Sequence, residues 1–171
     1  PEDGSVCSNF GGGDGQIDLW RNMPNVNPGS YYSTSPVIVA GDSIIVGGTV
    51  LDNVSTTEPS GVIRAFDIAS GELLWNWDSG NPDDTAPLAP GQTYTPNSPN
   101  SWSISSLDED LGLVYVPLGN QPPDQWGGNR SETVERYSSS VVALDVATGA
   151  VRWVFPVSYT HLRAHETLRY L

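Results

Sequence analysis

Short apolar runs punctuated by turn residues dominate the chain. Val37-Ile38-Val39-Ala40 is followed, after Gly41-Asp42, by Ser43-Ile44-Ile45-Val46, then by Val62-Ile63-Arg64-Ala65-Phe66 and Leu73-Leu74-Trp75. Runs of this length bounded by Gly, Asp, Ser and Pro read as strands joined by turns. They predict strands over 35–40, 43–49, 61–67 and 72–77, and again over 102–107, 112–118, 138–145 and 150–155. The 18 Gly and 14 Pro, with six Trp and only 16% charged residues, favour such strands over helices. The fold class is all-β.

Two segments repeat. Ala65-Phe66-Asp67-Ile68-Ala69-Ser70-Gly71-Glu72-Leu73-Leu74-Trp75 and Ala143-Leu144-Asp145-Val146-Ala147-Thr148-Gly149-Ala150-Val151-Arg152-Trp153 share the form A-x-D-x-A-[ST]-G-x-x-x-W, 78 positions apart. In each, the Asp accepts turn N–H groups, the Gly supplies a positive φ, and the Trp returns on the next strand. With two further strands ahead of each copy, the unit has four strands, and four-stranded units in series are blades of a β-propeller. The chain then carries about two blades, with 7–19 assigned to the end of an earlier one, and is expected to need further blades to close.

Antiparallel succession sends alternate connections to opposite faces of such a disc. One class is short: 41–42, 68–71, 108–111 and 146–149. The other is long: 50–60, 78–101 and 119–137. Long loops on a rigid scaffold are where binding residues usually sit, so the elaborated face is the candidate functional face.

Charge narrows the partners. Seven Lys+Arg stand against 20 Asp+Glu, a net charge of −13, so the basic stripe that nucleic acid requires is missing and the acidity reads as solubility. Cys7 is the single cysteine and forms no internal disulfide. No apolar run approaches the roughly 20 residues of a membrane helix. The start on Pro1 reads as an internal piece of a longer protein, with any membrane anchor outside it.

The Trp-bearing repeat resembles the blade motif of dehydrogenases that use pyrroloquinoline quinone (PQQ), in which each Trp docks a blade on its neighbour. Asn97-Ser98-Pro99-Asn100-Ser101-Trp102, Trp126-Gly127-Gly128-Asn129-Arg130, and Asp52-Asn53 followed by Ser60-Gly61-Val62-Ile63-Arg64 resemble the membrane-bound glucose dehydrogenase branch. The resemblance covers about 14–155. It implies part of an eight-bladed quinoprotein propeller at the periplasmic face of the inner membrane. It also implies oxidation of aldoses at C1 to a lactone, with PQQ and Mg²⁺ or Ca²⁺ as cofactors and ubiquinone as electron acceptor. A quinoprotein acting on another alcohol or polyol is the sister reading. A non-catalytic propeller scaffold with the same repeats is a third, and it calls for short loops on both faces.

The resemblance also assigns residues. Asp52 and Asn53 match its proposed cation-binding pair, and their carboxylate and amide oxygens suit a hard divalent ion, although an Asp-Asn pair in a loop is ordinarily a turn. Trp102 matches the residue that stacks on the cofactor; it is expected to open the innermost strand of its blade and face the central channel. Trp75 and Trp153 are expected to pack blades. Pro122 stands where the family often carries a Thr near the metal, so either its backbone carbonyl serves there or the position has no such role. Asn129 and Arg130 read equally as ligand contacts or as a Gly-Gly-Asn turn with a surface Arg.

The stretch 157–171 departs from the family, which continues after Phe155-Pro156 into a run bearing the catalytic Asp. Here Val157-Ser158-Tyr159-Thr160-His161-Leu162-Arg163-Ala164-His165-Glu166 resembles a translated sequencing-library adapter, and is set apart from 1–156 as non-native. No catalytic residue is assigned.

Overall fold

The computed structural model describes residues 3–157. Its strands β2 (Ile38–Ala40), β3 (Ser43–Val46), β5 (Ile63–Asp67) and β6 (Leu73–Trp77) form one antiparallel sheet in the order β2-β3-β5-β6. Strands β7 (Ser106–Asp108), β8 (Leu113–Leu118), β9 (Ser140–Asp145) and β10 (Val151–Pro156) form a second, in the order β7-β8-β9-β10. These are the two expected four-stranded blades.

The turns of the repeat have the same geometry in both copies. Asp67 Oδ1 accepts from the N–H groups of Ala69 and Ser70 and from the Ser70 hydroxyl. Asp145 Oδ1 accepts from Ala147 and Thr148 in the same way, and Gly71 and Gly149 follow at φ 75° and 72°. Each copy also has a bulge that the pattern did not reveal. Ala65 pairs Trp75 while Phe66 pairs Leu73, and Trp153 pairs Ala143 while Val151 pairs Leu144. The extra residues, Leu74 and Arg152, immediately precede the two tryptophans, so the same added strand twist aims both indoles.

One core lies between the sheets. Ile45, Ile63, Ala65, Trp75 and Trp77 of the first pack with Val114, Val116, Leu118, Val142 and Leu144 of the second, all buried. Trp77 meets Tyr137 edge-on, 5.0 Å between centroids. A second cluster of Met23, Tyr31, Val50, Val62 and Tyr94 lies outside the two sheets, around the start of β5.

Four expectations are corrected. The strand 43–49 stops at Val46: Gly47-Gly48 breaks it, and β4 (Thr49–Val50) pairs instead with β1 (Tyr31–Tyr32). A Cβ at Gly48 would lie 2.2 Å from the Tyr31 hydroxyl, so only glycine lets that ring pass. The strand 102–107 begins at Ser106, because the Trp102 carbonyl is taken by the Thr34 and Ser35 hydroxyls rather than by a ladder. The loop 119–137 contains helix α1 (Glu132–Tyr137), with Ser131 as N-cap accepting from Val134 N–H. Residues 3–30 form no strand, so 7–19 does not close an earlier blade by pairing. Instead Gly11 N–H donates to Ser70 O at 2.9 Å and the Phe10 ring lies over Gly71. Val157 still donates to Ser139 O, while the rest of 157–171 lies outside the described residues.

Candidate functional site

The three long connections are laced to one another. Asn97 sits at φ 57°, buried, with its N–H on the carbonyls of Glu58 and Pro59 and its side-chain amide on Pro122 O. The Ser98 hydroxyl accepts from Gly61 N–H, and Gly119 N–H donates to Asn100 O. The elaborated face is thus one built surface.

A cleft of about 590 Å³ opens between these loops, with Tyr32, Asp52, Asn100, Trp102, Asn120 and Asp124 among its walls. Asp52 and Trp102 both line this cleft. Trp102 is not on a strand, but its carbonyl is fixed by two hydroxyls, and a Cβ at Gly119 would come within 3.0 Å of its indole nitrogen. The residue is 59% exposed. A large apolar plane pinned at its backbone and left open to a cleft is suited to stacking a flat ligand.

Asn53 does not line the cleft. At φ 59°, it donates both its backbone N–H and its side-chain amide to the Asp52 carboxylate, at 2.8 and 2.6 Å. Asp124 N–H, 72 positions away, supplies a third donor to Asp52 at 2.8 Å. Three of the roughly four acceptor directions of a carboxylate are filled. To join Asp52 on a cation, the Asn53 amide has to turn its oxygen inward. No group of three or more His, Cys, Asp or Glu is gathered among the described residues, so other oxygens must complete a hard cation's shell of about six to eight.

The charge of the cleft fits a cation: Asp52 and Asp124 line it and, among the described residues, no Arg or Lys does. Among the described residues the same walls offer an aromatic plane and no positive partner for a carboxylate ligand.

Sequence reasoning missed Asp124, whose contribution is a backbone amide that no motif advertises. Of the two readings left open for Arg130, the surface one does not hold: its side chain is 6% exposed, paired with Glu135 at 3.2 Å and donating to Asp124 O at 3.0 Å. Arg130 thus holds the loop segment that holds Asp52. Neither Asn129 nor Arg130 lines the cleft, and Pro122 does. Trp75 packs between the blades as expected, its N–H on Val146 O, whereas Trp153 is 44% exposed and lies against Tyr115.

A family model described as the glucose/ethanol/alcohol dehydrogenase β-propeller domain of PQQ proteins matches residues 1–161. The quinoprotein glucose dehydrogenase of Escherichia coli (strain K12) is 47% identical over 154 residues, 90% of this chain and 19% of that protein. Quinoprotein glucose dehydrogenase A of Acinetobacter calcoaceticus is 44% identical over 159 residues, 93% of this chain and 20% of the relative. The chain thus spans about a fifth of the length of the curated relatives it matches. Among solved structures, the quinohemoprotein alcohol dehydrogenase of Comamonas testosteroni superposes with a TM-score of 0.54 at 20% identity, over 80% of this chain and 21% of that one, a likeness of fold. With its two four-stranded blades joined at Trp75 and this span of sequence likeness, the chain belongs to the glucose/ethanol/alcohol dehydrogenase β-propeller family of PQQ proteins.

Proposed function

We propose that the protein containing this chain is a PQQ-dependent aldose dehydrogenase, oxidising the C1 hydroxyl of sugars such as glucose to the lactone and passing electrons to ubiquinone at the periplasmic face of the inner membrane. The observation that carries this is the convergence of Asp52 and Trp102 in one cleft that no basic side chain lines among the described residues.

PQQ, when bound, supplies the two-electron redox chemistry. This chain's share is to bind and orient. The Trp102 indole offers the plane for stacking, and the Asp52 carboxylate, aimed by the amides of Asn53 and Asp124, offers the charge that holds Mg²⁺ or Ca²⁺. Asn53 adds its oxygen once its amide turns. The loops on one face, against short turns on the other, favour this reading over a non-catalytic scaffold.

The test is made on the full-length protein. D52A raises the Mg²⁺ or Ca²⁺ concentration needed for reconstitution at least tenfold, and W102A weakens PQQ binding by a similar factor, read by equilibrium binding as well as by dye reduction with glucose. Wild-type affinity for both cofactors in both variants overturns the site. Turnover of glycerol or another polyol with none of glucose selects the polyol enzyme instead.

A further inference from the structure

A second concavity, of about 190 Å³, lies beside the cleft and shares Pro122 with it; Thr56, Asn97, Gln121, Trp126 and Asn129 also line it. Its volume corresponds to roughly six waters, the scale of one small molecule. The proposed chemistry makes no use of it.

Trp126 is 52% exposed, yet its segment is tightly built. Trp126 N–H donates to Pro123 O and Arg130 N–H to Gly127 O, both at 3.1 Å. A Cβ at Gly128 would come within 2.6 Å of the indole's six-membered ring, so glycine is what allows the turn to fold beneath it. The buried Arg130 guanidinium ties the segment to Asp124 O and to Glu135. On the opposite wall, Asn97 fastens the loop to Pro122 O. The fold thus fixes a large apolar ring in water, which adds little to its own stability and leaves a rigid platform.

Around that platform the polar groups are neutral. Among the described residues, the Thr56 hydroxyl and the side-chain amides of Gln121 and Asn129 make no hydrogen bond, and no charged side chain lines the pocket. A half-exposed indole with free amides and a hydroxyl is complementary to a pyranose: the C–H face of the ring stacks, and the amides, each both donor and acceptor, read hydroxyls. A flat anion finds no counter-charge here, and a purely apolar ligand would bury three polar groups unpaired.

We propose that the Trp126 pocket is a binding site for a single neutral sugar ring, distinct from the Asp52–Trp102 cleft. Its ligand class deepens the aldose reading and rests on it; its geometry does not. Full-length protein without PQQ is titrated with methyl α-glucopyranoside by saturation-transfer NMR. Binding is expected to be saturable in wild type and W102A and to weaken about tenfold or more in W126A. W126F recovers most of it, because a phenyl face also stacks, and glycerol, lacking a ring, does not compete. No saturable binding to wild type, equal binding in W126A, or binding lost in W102A and kept in W126A overturns the site. Dye reduction by the holoenzyme with glucose is read separately: its absence, with Trp126-dependent binding intact, removes the aldose reading and leaves the site.

Discussion

The indole N–H of Trp75 donates to the carbonyl of Val146, 71 positions along the chain, at 2.8 Å. The donor belongs to the first copy of the repeat and the acceptor to the turn of the second. Gly149 of that turn lies under the ring, where a Cβ would come within 2.5 Å of it. One motif therefore supplies both halves of the joint between blades.

Removing the joint is expected to cost more than the hydrogen bond alone. W75A destabilises by about 3–5 kcal/mol through lost packing. W75F costs about 1–3 kcal/mol by leaving the Val146 carbonyl unpaired. G149A strains a φ of 72° and pushes against the ring, so the W75F/G149A double variant falls short of additivity. Chemical denaturation of the full-length protein, of W75A and of the three variants of the cycle checks this; additive losses remove the coupling.

Two carboxylates give opposite pH slopes. Burial pushes the Asp78 carboxyl above its ordinary value near 3.8, only partly offset by the N–H groups of Thr95 and Gly80. A raised folded pKa means that folding is penalised once the group ionises, so this cost is absent below about 3.8 and grows as pH rises through the folded value. Relative to wild type, D78N should gain thermal stability between pH 3.5 and pH 7, and a flat difference would contradict it. Hydrogen bonds from Ser70 hold Asp67 below its ordinary value, so its stabilisation is present above 3.8 and is lost as pH falls through the lowered value. The difference between wild type and D67N should therefore shrink on acidification.

Arg130 is expected to control Asp52 from a distance. Its fork bridges Asp124 O and Glu135, and Asp124 N–H reaches Asp52 Oδ1. R130A should raise hydrogen exchange at the Asp124 amide at least tenfold. R130K should do nearly as much, since an ammonium keeps the charge but not the two-pronged geometry. Wild-type protection in both variants would show that the loop stands without it.

Much of the architecture was legible from the repeat. The spacing from Asp67 to Gly71 and Trp75, and its copy from Asp145, encodes a turn whose side-chain hydrogen bonds are local, and the structure reproduces them. Elements set by distant partners were less legible. The break at Gly48 depends on Tyr31, the Trp102 segment is held by Thr34 and Ser35, and the twin bulges depend on cross-strand register. At the site, Asp52 and Trp102 could be named from a matching motif, whereas the Asp124 amide and the buried role of Arg130 appear only when the loops are folded together.

The lacing of the three loops through Asn97 also bears on how such a protein can be re-engineered. With one amide side chain on Pro122 and its backbone on Glu58 and Pro59, no loop keeps its shape if a neighbour is exchanged. Transplanting a new specificity onto these blades will require moving all three segments as one cassette, while on the far side the turns 68–71 and 146–149 are tied to Gly11 and Trp75 and only the other short turns can be altered one at a time.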